Sequence, residues 1–221
     1  MNNIEIKVYK NLMGENDKWA KKTRALLKDK NIRMLNFIGS PGSGKTALLE
    51  KTAERLSGNI RFAVLEGDIE TTRDAERLAK HGIYTSQLNT GGACHLEAKL
   101  VHCALRDLPL DDLDFVVVEN VGNLVCPAEF DIGEHAKIAI LSVTEGEDKP
   151  IKYPLIFRQA KAIALTKTDL LPYLSFDLDS CLNFMRQINA SSPIFQVSSV
   201  NGNGLDKWAE WVSMNVTVHG S

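Results

Sequence analysis

A chain of 221 residues, 44% hydrophobic and 24% charged, has ordinary globular composition and enough apolar surface for one substantial core. Its formal net charge of −2 gives no general attraction to nucleic acid or to an anionic membrane, so neither is expected as a partner. No apolar stretch approaches the roughly 18–20 residues of a membrane span, and the start Met1-Asn2-Asn3 lacks the apolar stretch of a secretory signal; we expect a cytoplasmic protein. Four cysteines, at 94, 103, 126 and 181, are too few and too scattered for a disulfide scaffold. Thiols are expected, either buried or metal-bound.

Ile4, Ile6 and Val8 alternate like a short strand, but Leu12, Trp19 and Leu26 then recur by seven among many charges. We read residues 1–31 as an N-terminal helical arm and residues 32–221 as the main domain. Apolar runs of β type follow at 34–38, 61–65, 115–118, 138–143, 162–165 and 194–197. Most are separated by segments long enough for helices. This alternation predicts an α/β fold with a doubly wound, largely parallel sheet and right-handed crossovers, its ligands lying at the carboxyl ends of the strands.

The first run leads into Gly39-Ser40-Pro41-Gly42-Ser43-Gly44-Lys45-Thr46, which matches the P-loop pattern GxxxxGKT and precedes a helical pattern at Ala47-Leu48-Leu49. Glycines let backbone N–H groups wrap phosphates, and the helix start favours anions. Lys45 reaches the β- and γ-phosphates, while the Thr46 hydroxyl suits Mg²⁺. Such a site also needs carboxylates near the γ-phosphate, usually at strand ends. Asp68 follows the 61–65 run through Glu66-Gly67, and Glu119 follows the 115–118 run. Both are candidates for Mg²⁺ and catalysis, Glu66 less so. Asp68 alternatively caps a helix over 72–79, and Glu119 alternatively lies in a solvated loop.

Glu119-Asn120-Val121-Gly122 resembles the GTPase switch II motif in the form that carries Glu for the more common Asp, with Gly122 as the point where a γ-phosphate would trigger movement. The 162–165 run ends in Thr166-Lys167-Thr168-Asp169, similar to the NKxD element with Thr in the Asn position. The Asp169 carboxylate would accept from N1–H and the exocyclic amine of guanine, a pair of donors that adenine does not offer. Ser198 and Ser199, after the last run, sit where a backbone amide would meet the base.

Cys94 and His95 are adjacent, and Cys126 lies seven residues beyond Glu119. Thiolate and imidazole suit Zn²⁺ or Ni²⁺, and three ligands leave the coordination sphere open for water or for a symmetry-related copy, which makes a homodimer a reasonable expectation. The spacing is not that of a zinc finger, and cysteines buried as small hydrophobes are the alternative. His102 lies on the helical face of Lys99 and Arg106 and reads as a surface residue; Cys103 and Cys181 read as packing.

These strings together resemble the HypB-type nickel-insertion GTPases of nickel-iron hydrogenase maturation. The likeness runs through Pro41 to Thr46, Glu66-Gly67-Asp68, Leu88-Asn89-Thr90-Gly91, Cys94-His95-Leu96, Glu119 to Pro127, and Ser142 to Pro150. The resemblance implies a P-loop GTPase with Mg²⁺ and GTP, a zinc or nickel site at Cys94, His95 and Cys126, and dimerisation on GTP. It also implies a nucleotide role for Lys149 toward the opposite subunit, with a hydrogenase large-subunit precursor and other maturation proteins as partners. The chain departs from some relatives in having no cysteine-rich or histidine-rich tract before Gly39. Competing readings are another metallocentre-assembly GTPase, of urease type, and a nickel or zinc storage module that uses nucleotide as a structural ligand.

Overall fold

The computed structural model describes residues 3–58, 60–67, 78–79 and 81–216, with side chains described from residue 13 onward. Helix α1 (Asn3–Asp29) opens the chain. The Ile4–Val8 alternation therefore lies within a helix and not a strand, because the helical periodicity that continues to Asp29 governs the whole segment. The helix stops where Asn31 takes a φ of 56°, and Ile32 N–H donates back to the Leu27 carbonyl at 2.9 Å.

Among the described residues seven strands follow: β1 (Arg33–Gly39), β2 (Phe62–Glu66), β3 (Tyr84–Gln87), β4 (Phe115–Glu119), β5 (Ala136–Ser142), β6 (Ala160–Thr166) and β7 (Ile194–Gln196). All six neighbouring pairs are parallel, in the order β3-β2-β4-β1-β5-β6-β7. The helices between them are α2 (Lys45–Leu56), α3 (Ala98–Arg106), the short α4 (Cys126–Glu129), α5 (Lys149–Lys152) and α6 (Pro154–Gln159), then α7 (Leu178–Ile188) and α8 (Leu205–Val216).

Period-two alternation sorts the strand side chains between the two faces. Phe115 and Val117 of β4 join Leu35, Phe37, Leu48 and the buried Trp208 of α8 in one core, while Val116 and Val118 join Met34, Leu27 of α1 and Val101 and Leu105 of α3 in another. A third cluster packs Ile163 and Leu165 of β6 against Phe157, Cys181 and Met185. Trp208 is fixed by an Nε1–H donated to Thr52 Oγ1 at 2.8 Å. Cys181 is core, as its helical spacing implies, but Cys103 is exposed, because its face of α3 turns to solvent. Strand β3 carries no apolar run and sits at the sheet edge.

Candidate nucleotide and metal site

The carboxyl ends of β1, β2, β4 and β6 gather the polar residues. After β1 the loop turns through Gly42 and Gly44, with φ of 69° and 90°, a conformation open to glycine. A Cβ on Gly39 would lie 2.5 Å from Ser43 Oγ and 2.6 Å from the Ile140 carbonyl oxygen. Lys45 opens α2 and is buried, its Nζ donating to the carbonyls of Gly39 and Ser40 at 3.4 and 3.3 Å. Ser43 Oγ is buried without a hydrogen-bond partner, as a hydroxyl facing an anion cradle would be.

Thr46 Oγ1 donates to Glu119 Oε1 at 2.8 Å, so helix α2 and the end of β4 meet at two of the proposed Mg²⁺ residues. Glu119 and Glu66 are both buried strand-end residues. Gly122 packs onto the loop: a Cβ there would lie 2.7 Å from Pro41 Cγ and 2.9 Å from Pro41 N. Asp68 lies outside the described residues.

At the end of β6, Thr166 Oγ1 donates to the Ser43 carbonyl at 2.6 Å. Lys167, at a φ of 58°, donates from Nζ to the Gly42 carbonyl at 2.6 Å. The hydroxyl of Thr166 thus ties the loop after β6 to the loop after β1, at the position where the NKxD pattern carries an asparagine amide. Asp169 Oδ1 accepts from Ser198 Oγ at 2.5 Å, and that hydroxyl oxygen accepts the amides of Val200 and Asn201. Ser199 is half-buried beside them. Lys149 begins α5, with Nζ 5.1 Å from the Tyr153 ring centroid.

Cys94, His95 and Cys126 come together. One ligand atom from each lies within 4.8 Å of the others. Cys94 Sγ is 2.8 Å from Cys126 Sγ and 3.6 Å from His95 Nδ1. The hydrogen-bonded Cys126 thiol and, after it, burial hold Cys94 above the usual thiol range, so a soft cation entering there displaces protons as it binds. Burial holds His95 below the ordinary histidine value, which keeps a lone pair available. Its ring stacks on Phe130, with centroids 3.7 Å apart and planes at 21°. His102 stands apart, packed against Trp19 and Thr23 of α1.

Phe130, Asn120 and Asn123 join the site without belonging to the candidate residues named from the sequence. Asn120 is buried and bridges β4 to β1 and to Leu96; Asn123 holds the Cys94 carbonyl. Asn120 and Asn123 stand in the motif that carries Glu119 and Cys126, whereas Phe130 lies three residues beyond Pro127, where no local pattern marks it.

The CobW/HypB/UreG nucleotide-binding domain family matches residues 33–196. An Escherichia coli hydrogenase maturation factor HypB is 45% identical over 209 residues, 95% of this chain and 71% of that protein. The crystal structure of Archaeoglobus fulgidus HypB superposes with a TM-score of 0.88 at 33% identity, covering 92% of this chain and all of that one. A Helicobacter pylori HypB solved in complex with nickel gives 0.85 at 37% identity, covering 94% of this chain and 99% of that one. Fold and phosphate loop define a P-loop GTPase of the CobW/HypB/UreG class. Within that class the chain belongs to the HypB hydrogenase maturation factors.

Proposed function

We propose that this chain hydrolyses GTP and uses the cycle to hold nickel and release it toward the active site of a nickel-iron hydrogenase. One observation carries the reading: the segment that begins at Glu119, in contact with Thr46, continues to Cys126, in contact with Cys94. A single stretch of chain therefore touches both the phosphate site and the thiol–imidazole cluster. The donor set, two thiols and an imidazole, fits nickel or zinc as cargo.

Lys45 presents positive charge to the β- and γ-phosphates, with loop amides from Gly39 to Thr46 wrapping them. Thr46, Asp68 and Glu119 would hold Mg²⁺, whose charge offsets that of the phosphates. Asp169 selects guanine, and Thr166, Lys167, Ser198 and Ser199 shape the base loop around it. Order in the segment after Glu119 then follows the terminal phosphate, and hydrolysis loosens the thiol of Cys126 from its fellow donors. Three donors leave the sphere incomplete, which supports a homodimer that joins two such sites, with Lys149 serving the partner's nucleotide. We assign residues 1–31 as an arm on a GTPase domain of 32–221 and place the protein in the cytoplasm, with a hydrogenase large-subunit precursor and other maturation proteins as partners. Among the described residues no helix is long and apolar enough to cross a membrane.

The test is nickel release to a chromogenic chelator from protein loaded with nickel. GTP should accelerate release relative to GDP and ATP, and Cys126→Ala should abolish the difference. Equal release with all three nucleotides contradicts the proposal.

A further inference from the structure

We propose that Asn120 and Asn123 are positioning residues that clamp the main chain on either side of His95, so that the Cys94–His95 pair follows the segment after Glu119. The inference rests on the proposed coupling of nucleotide to metal and says which groups carry it.

Asn123 Nδ2 donates to the Cys94 carbonyl at 3.2 Å, and Asn120 Oδ1 accepts the Leu96 amide at 3.4 Å. The carbonyl before His95 and the amide after it are thus both held by the strand-end segment, at residues three apart. Each asparagine is itself fixed. Asn123 Oδ1 accepts the Val125 amide at 2.9 Å, immediately before Cys126. Asn120 is 1% exposed; its Nδ2 donates to Asn36 Oδ1 at 3.1 Å, its Oδ1 also accepts the Val121 amide, and its backbone amide donates to the Phe37 carbonyl. A buried amide with its donor and acceptor satisfied has one favourable orientation, since any other leaves polar groups unpaired.

Leu96 is fully buried against Gly67, where a Cβ would lie 2.7 Å from Leu96 Cδ1. Gly67 N–H in turn donates to the Glu119 carbonyl at 2.8 Å. The metal pair therefore hangs between an anchored leucine and the Asn123 amide, and both anchors lead back to Glu119 and its neighbours. Displacing that segment carries Cys126 along the chain and pulls Cys94 and His95 through the side-chain ties of residues 120 and 123, so the three donors shift by different amounts. Without the clamp, only the covalently attached Cys126 would respond.

The experiment is nickel titration of the full chain, wild type beside Asn123→Asp and Asn120→Asp, each saturated with GDP or with a nonhydrolysable GTP analogue. Asn123→Asp keeps the oxygen that accepts from Val125 and removes the donor to Cys94. Because Asn123 is only half-buried, this variant tests the clamp even where Asn120→Asp fails to fold. If the wild-type affinities in the two states differ by the roughly 5–150-fold usual for coupled sites, the clamp predicts that this ratio changes by about threefold or more in Asn123→Asp, the remainder being carried by Cys126 and the Asn120 tie. A residue that merely supports the fold lowers both affinities by the same factor and leaves the ratio alone. A folded Asn123→Asp with the wild-type ratio overturns the clamp and leaves the coupling intact. Equal affinities in the wild type itself remove the coupling, and the clamp with it.

Discussion

Thr166 ties two loops together through one hydroxyl. Its short bond to the Ser43 carbonyl joins the base loop to the phosphate loop from within the buried end of β6. Thr166→Val keeps the shape and leaves that carbonyl without its side-chain donor, at a cost of about 1–3 kcal/mol. Calorimetry should then find a melting temperature roughly 2–10 °C lower, with Thr166→Ser near the wild type. A Val variant that melts with the wild type would show the bond to be idle. Asp169→Ala removes the acceptor proposed for the guanine edge, and the preference for GTP over ATP should fall by about a hundredfold or more in competition binding. Lys45→Ala removes positive charge from the developing phosphate charge; single-turnover GTP hydrolysis should slow by about a hundredfold or more, and an unchanged rate would refute the role.

Helix α1 owes its seat to particular groups. Ala20, Thr23 and Leu27 are fully buried on it, and Asn16 donates to the Asp131 carbonyl while accepting the Ala98 amide at the start of α3. His102 on α3 faces Trp19 and Thr23 of this helix, with Lys22 and Arg106 near. Burial, then Arg106 and Lys22, hold the ring below the ordinary histidine value. The unfolded chain therefore takes up the proton first as pH falls. The contribution of His102 is complete above about 6.5 and is lost as the pH drops from there through the lower folded value. Melting temperatures measured between pH 7.5 and 5.5 should fall more steeply for the wild type than for His102→Gln; parallel profiles would show that the ring does not report on this seam. Among the described strands, β1, β2, β4, β5 and β6 were legible as apolar runs because most of their side chains are buried on both faces of a parallel sheet, and the partly buried edge strand β7 was legible through Ile194 and Phe195. Strand β3 was not, since Tyr84-Thr85-Ser86-Gln87 lies at the edge, where pairing to β2 and not burial makes the strand. The P-loop pattern and the candidate ligands Cys94, His95 and Cys126 stand out by residue type, whereas the asparagine bridges depend on long-range contacts, such as Asn120 to Asn36, that no local pattern encodes.

Across the whole molecule, the strand order sets β4 between β1 and β2, so the Glu119 segment emerges beside the phosphate loop on one flank and the Gly67–Leu96 contact on the other. That placement puts one segment against both the P-loop and the Cys94–His95–Cys126 cluster. The account's central claim is that the terminal phosphate of the nucleotide changes the geometry of Cys94, His95 and Cys126. Nickel affinity of the wild-type chain, measured by competition with a chelator under saturating GDP and under a nonhydrolysable GTP analogue, tests it most directly. The account predicts affinities that differ by about fivefold or more between the two states and a difference that vanishes in Cys126→Ala. Equal nickel affinities in both nucleotide states of the wild-type protein would contradict it.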